Sequence, residues 1–292
     1  MSKFFKHILV VLVLTILLSI VIDKAIFEFF FRYHKRTKLD IQGLKKEIVF
    51  FGSSRCIHHI EPIIVDSICD TKSYNMGWAA SNPREIYAAI KIYIKRNEKP
   101  KLICIQVDQE QNDETEDGLA RQSLLKFYGK HYIDDYYSNE LKRDLSIPLY
   151  ASIKYRDFGW REILKTLFNN SSGNIRELGF SPIETQHNVK TSDFSNLKTM
   201  KSNKWISKSI AFCKENNIKI LLFTAPIWKS NSNNKFEKIR YLYPVDYINF
   251  SDSLQNIQYY SDATHLNQKG AEVFTKIFSK QLIVIKKAIH KK

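Results

Sequence analysis

Two short stretches, far apart in the chain, carry side chains that can do chemistry together. The first is Gly52-Ser53-Ser54-Arg55, directly after the apolar run Ile48-Val49-Phe50-Phe51; the second is Asp262-Ala263-Thr264-His265, followed by Gly270 and a long amphipathic pattern. A serine hydroxyl attacks a carbonyl when a histidine takes its proton and a third group orients that histidine. An acid and a histidine three residues apart supply such a pair, which makes Ser54 the candidate nucleophile and Asp262 and His265 its support. Each also has a plainer reading: Ser53 and Ser54 as turn caps, Asp262 as a turn N-cap, His265 as a satisfied histidine at a helix start. Arg55 either steadies an anionic substrate group or pairs with an acid. His58 and His59 are adjacent but have no carboxylate or thiol at ligand spacing, so no metal is expected, and no cofactor either.

These residues need a scaffold that brings them together. Four β-branched or aromatic residues in a row, with no period-two alternation, predict a strand buried on both faces, as in a parallel sheet covered by helices. Gly52 ends it, and ligands bind beyond the carboxyl ends of such strands. Arg55 to Glu61 reads as a loop leading to a helix that starts at Pro62 and runs to about Cys69. A second strand is expected at Ser73 to Met76. The next helix starts at Ser81-Asn82-Pro83 and runs to about Arg96, burying Ile86, Ala89, Ile90 and Ile94. Leu102 to Val107 is a third strand, completing a βαβαβ unit of one hand. From about 109 to 203 the pattern changes to helical segments and polar loops with many aromatics, among them Phe127, Tyr128, Tyr132, Tyr136, Tyr137, Tyr150, Tyr155, Phe158 and Trp160. This reads as a helical insertion over the strand ends, its rings either packing the insertion on the body or forming a substrate platform. A helix from Trp205 to Asn216, strands at Ile218 to Phe223 and Tyr247 to Phe250, and a last helix from about Gln268 to Ile289 follow. The expected fold is a three-layer α/β/α domain on a parallel, flavodoxin-like five-stranded sheet.

Gly-Ser-Ser after the first strand, Asn75-x-Gly77 after the second and Asp-x-x-His before the last helix resemble the SGNH (GDSL-like) hydrolases and acyltransferases, over most of the chain after its N-terminus. The resemblance implies Ser54 as nucleophile, His265 as general base and acid, and Asp262 as the group that holds the imidazole. It also implies an oxyanion hole from the backbone N–H groups of Ser54 and Gly77. Arg55, Asn75 and Asp108 are then candidate substrate-binding residues. The family often adds an asparagine after the third strand; here that loop reads Val107-Asp108-Gln109-Glu110, and Asn112 comes late. The implied activity is removal or transfer of an O-acyl group, acetyl above all, on a cell-envelope or exported polysaccharide, alongside a membrane-bound acyltransferase as a possible partner. A module that binds glycan without turnover, or an accessory subunit of an acyl-transfer complex, is the alternative.

The 292 residues suit one α/β domain with an insertion. Lys+Arg 45 against Asp+Glu 30 give a net charge of +15, but the lysines are spread with acids between them, which points to a basic solvated surface and away from nucleic acid. Residues Ile8 to Ile22 are uncharged and almost wholly aliphatic, preceded by Lys3 and Lys6. That core is about as short as a signal-peptide h-region, yet no A-x-A-like cleavage site follows it. With Asp23 and Lys24 at the interface and the Phe27 to Tyr33 cluster at the headgroups, residues 1–37 are expected to form an uncleaved signal anchor, and 38–292 a single-pass protein's extracytoplasmic domain. The basic run His34 to Lys38 argues mildly for the opposite orientation. Cys56, Cys69, Cys104 and Cys213 show no C-x-x-C spacing and are expected as buried free thiols.

Overall fold

The computed structural model describes residues 2–26, 38–108, 124, 127–139, 142, 177–184, 201–229 and 233–290. The chain divides into two compact units, one of Met1–Thr37 with Gln122–Ser172, the other of Lys38–Arg121 with Gly173–Lys292.

The second unit is built on a parallel sheet of five strands: β1 (Ile48–Phe51), β2 (Ser73–Asn75), β3 (Leu102–Gln106), β4 (Lys219–Thr224) and β5 (Asp246–Asn249), in the spatial order β2-β1-β3-β4-β5. Every neighbouring pair is parallel. The helices are α2 (Ser54–His59), α3 (Pro62–Cys69), α4 (Pro83–Arg96), α5 (Lys204–Glu215), the short α6 (Asn233–Glu237) and α7 (Gln268–His290). The chain leaves β1 to build β2 on one side and returns past it to build β3 on the other. The C-terminal ends of β1 and β3 therefore flank the point where the strand order reverses, the usual ligand crevice of an open α/β sheet.

The missing alternation in β1 has a direct structural cause: both faces are covered. Phe50 packs on Phe278 of α7, with ring centroids 5.9 Å apart, and its neighbour Phe51 points the other way onto Tyr93 of α4 at 6.0 Å. All four residues of the strand are buried. On the α7 face, Ile48, Phe50, Leu102, Cys104, Leu221 and Phe223 share one core with Cys56, Val65, Phe274, Phe278 and Leu282. In α7, Phe274, Phe278 and Leu282 are fully covered, whereas Val273 and Ile277 lie at the margin of the stripe. α4 begins where the Asn-Pro signal puts it. The Asn82 side chain accepts from Arg84 and Glu85 N–H while the Glu85 carboxylate accepts from Asn82 N–H, a complete capping box. Ile86, Ala89 and Ile90 are buried as expected, but Ile94 is only partly covered and Ile92 and Tyr93 take its place.

Arg55 to Glu61, expected as a loop, instead contains the helix α2. Ser53 C=O accepts from Cys56 and Ile57 N–H at 3.0 and 3.2 Å, and Arg55, Cys56, Ile57 and His59 are buried. Six residues with serine, arginine and two histidines carry too little apolar periodicity to announce a helix; its stability comes from packing on α7. The four cysteines are free and buried, and burial pushes the thiols of Cys56 and Cys213 up to about 12.

In the first unit, α1 (Ser2–Ile26) is a single helix whose stretch Lys3–Ala25 includes an 18-residue window of mean hydropathy 2.7, long and apolar enough to cross a membrane by length and composition. It runs well past the aliphatic core at Ile8 to Ile22. Of the insertion aromatics, Phe127, Tyr136 and Tyr137 are buried, with Tyr137 stacked edge-on against Tyr128 and Tyr136 at 5.1 and 5.0 Å. Tyr150, Tyr155, Phe158 and Trp160, like Phe27 to Tyr33, lie outside the described residues.

Candidate active site

Gly52 closes β1 because nothing larger fits: a Cβ there would lie 2.6 Å from Cys56 Cβ and 2.7 Å from Gln106 Cβ. Ser53 then takes the cap position of α2 and Ser54 the first helical one. The two serines part company at this turn. Ser53 is buried, its backbone N–H and hydroxyl both donating to Gln106 Oε1, at 2.9 and 3.0 Å. Ser54 faces the second stretch of the sequence, and its hydroxyl lies 2.8 Å from His265 Nε2.

The other side of the imidazole is fixed by Asp262, whose Oδ2 lies 2.8 Å from Nδ1. This arrangement puts the ring proton on Nδ1 and leaves the Nε2 lone pair for the serine. The plain and the chemical readings of Asp262 prove compatible, one oxygen for each. Oδ1 accepts from Thr264 N–H, the Thr264 hydroxyl and His265 N–H at 2.7, 2.9 and 2.9 Å, closing the turn. Burial alone would raise the Asp262 carboxyl; the Thr264 N–H, the His265 ring and the Thr264 hydroxyl outweigh it and hold Asp262 below the usual carboxylate range. Further bonds tie the loop to the body. Trp228 N–H donates to Ala263 C=O at 3.0 Å, Gln268 N–H to Ile183 C=O at 2.9 Å, and Leu266 N–H to His59 Nε2 at 3.0 Å.

Four expected site residues hold other positions. Gly77 N–H donates to Asn75 Oδ1 at 2.9 Å, so it is not available to an oxyanion. Gly77 is needed for close approach, since a Cβ there would sit 2.8 Å from Ile57 N. Asn75 is fully buried and spends both amide hydrogens on Cys56 and Ile60 C=O, each at 2.8 Å, which makes it a brace between β2 and α2 and not a substrate contact. Arg55 and Asp108 are each 1% exposed and pair with one another. Arg55 also donates to Ala225 C=O at 2.5 Å and Pro226 C=O at 3.1 Å. Neither is presented to a substrate.

Gln106 and Lys38 are the residues that sequence reasoning missed. Gln106, at the end of β3, joins Ser53 to Asp108, to which its Nε2 also donates. Its signal was a lone amide in the apolar run Leu102 to Val107. Lys38 belongs to the fold and not to a flanking basic run: its ammonium is buried and donates to Asn75, Gly77 and Gly179 C=O at 3.0, 2.7 and 2.5 Å. Burial lowers its pKa to about 7. His58 and His59 both bind backbone. His58 Nδ1 meets Ser181 C=O at 2.5 Å, and burial lowers both rings. Among the described residues no group of three or more His, Cys, Asp and Glu is placed to hold a metal.

No protein-family model and no curated protein matches the chain. Among solved structures it is similar to a protein from Desulfitobacterium hafniense assigned to the lipolytic G-D-S-L family, at 10% identity and a TM-score of 0.41, over 81% of this chain and 99% of that one. It is also similar to a protein from Bacteroides fragilis assigned as an acylhydrolase, at 12% identity and 0.39, over 85% and 100%. A GDSL-like lipase from Bacteroides thetaiotaomicron aligns at 12% identity and 0.38, over 88% and 99%. At these identities and scores, any functional reading rests on the residues themselves.

Proposed function

We propose that the chain is an SGNH-type serine esterase or O-acyltransferase, and that Ser54, His265 and Asp262 are its catalytic residues. One observation carries the reading: a continuous line from Ser54 Oγ to His265 Nε2 and from His265 Nδ1 to Asp262 Oδ2, each link 2.8 Å, at the carboxyl end of β1. In the reaction, Ser54 attacks an acyl carbonyl while His265 takes its proton, and His265 returns that proton to the departing alcohol. Asp262 keeps the ring in the tautomer that can accept and stabilises the imidazolium. Water or a second alcohol then releases the acyl group from Ser54, giving hydrolysis or transfer. Ser54 N–H, in the first turn of α2 where helix donors lack intrahelical acceptors, is one oxyanion donor.

The substrate class belongs to the same proposal: acetyl or other short acyl esters of a cell-envelope or exported polysaccharide. α1 acts as the anchor, with Lys3 and Lys6 inside and the catalytic unit outside the cytoplasmic membrane. Placing Lys38 in the fold removes one charge from the run that opposed this orientation. A fluorophosphonate probe tests the reading, because it labels an activated serine irrespective of the natural substrate. Labelling of the wild type, lost in Ser54→Ala and retained in Ser53→Ala, is the expected result. No labelling of wild type would contradict an activated Ser54 and favour the alternative of a module without turnover.

A further inference from the structure

We propose that His59 is a positioning residue that sets the helix of the nucleophile in register with the loop of the base. The proposal rests on the serine-hydrolase reading above. Ser54 and His59 are the first and last residues of α2, and each makes a hydrogen bond to the loop before α7: Ser54 to His265, His59 to the adjacent Leu266 N–H. Ser54 and His265 are both partly exposed, but His59 is fully buried. Its ring stands edge-on to His265 at 6.1 Å and to Phe274 of α7 at 6.4 Å. Its backbone C=O accepts from the Thr275 hydroxyl at 3.1 Å, which pins the same residue to α7. A shift of the loop against α2 must therefore break a buried hydrogen bond before it can pull the imidazole off Ser54.

The bond also dictates the state of His59. Leu266 N–H donates to Nε2, so that nitrogen carries no proton and the neutral ring holds its hydrogen on Nδ1. A protonated His59 would turn a donor toward Leu266 N–H and add a cation beside Arg55, His58 and His265. Burial, together with those three neighbours, holds the ring well below the ordinary histidine range, so it stays neutral where His265 must work. The structure leaves Nδ1 without a partner among the described residues. A buried donor without an acceptor carries a desolvation cost, which the bond at the ring's other nitrogen helps to offset.

The test compares wild type with His59→Gln and His59→Asn in the full chain, held in detergent. Glutamine puts its carbonyl oxygen near the place of Nε2 and can accept from Leu266 N–H; asparagine puts its oxygen near Nδ1 and cannot. For His59→Asn, kcat on an activated acetyl ester is expected to fall about 100-fold, the scale of a misplacement of roughly 1 Å. KM should stay near its wild-type value, and amide exchange in the segment 259–268 should speed up. His59→Gln should recover most of both losses. Equal losses in the two variants would make His59 a matter of packing alone, and wild-type kcat and exchange in His59→Asn would overturn the proposal. Wild type without ester turnover refutes the hydrolase reading instead, and the exchange measurement still decides whether His59 holds the loop.

Discussion

At the scale of single residues, the site rests on a buried polar line: Ser53, Gln106, Asp108 and Arg55, ending on the carbonyls of Ala225 and Pro226. A buried ion pair contributes little net stability, but removing one partner strands the other. Asp108→Leu, which leaves Arg55 as an uncompensated cation, should therefore cost about 3–5 kcal/mol in denaturant unfolding. Adding Arg55→Met to it should recover a large part of that loss. Lys38 gives a prediction with a definite sign. Its folded pKa of about 7 lies below the ordinary lysine value, so between about 7 and 10 the unfolded chain binds more protons than the folded one. Burial of its charge costs stability in full below about 7, and the cost fades as pH rises. Relative to Lys38→Met, wild type should gain stability through this window by up to about 1.4 kcal/mol per pH unit. A flat difference between pH 7 and 9 would mean that the fold does not lower the pKa of Lys38.

At the scale of elements, α7 closes the core over β1, β3 and β4, and Phe278 sits at its centre, 5.9 Å from Phe50, 4.8 Å from Phe223 and 5.1 Å from Phe250. Phe278→Ala should cost about 3–5 kcal/mol by unfolding, whereas Val284→Ala, at an exposed position, should fall within about 0.5 kcal/mol. The sheet was legible because β1, β3 and β4 are apolar runs that stop at Gly52, at Asp108 and before Pro226. Ser54 drew attention because it follows such an end, and Asp262 and His265 because an acid and a histidine stand three residues apart just before the last helix. The unforeseen parts depend on contacts distant in sequence. α2 is held by packing on α7; Asn75 takes up Gly77 N–H; and the acid that Arg55 was read as able to pair with turns out to be Asp108, across the strand ends. None of these has a local periodicity to read, and the family pattern that suggested Gly77 as an oxyanion donor says nothing about which acceptor lies nearby.

At the scale of the whole molecule, two separable claims remain: where the protein sits and what it does. If α1 is an uncleaved anchor, the chain should stay with membranes with its N-terminal peptide intact, and a reporter fused after Lys292 should be active only in the form that works outside the cytoplasm. A cytoplasmic reporter signal would reverse the orientation without touching the chemistry. The chemistry stands or falls on Ser54, His265 and Asp262 acting as a unit. The most direct measurement is kcat/KM on an activated acetyl ester for wild type, Ser54→Ala, His265→Ala and the double variant. Residues that serve one step are not additive, so each single variant should lose nearly all turnover and the double should be little worse than either. Asp262→Asn should fall by as much as about 10⁴-fold. Wild-type turnover in Ser54→Ala, or single losses that multiply in the double variant, would contradict the account.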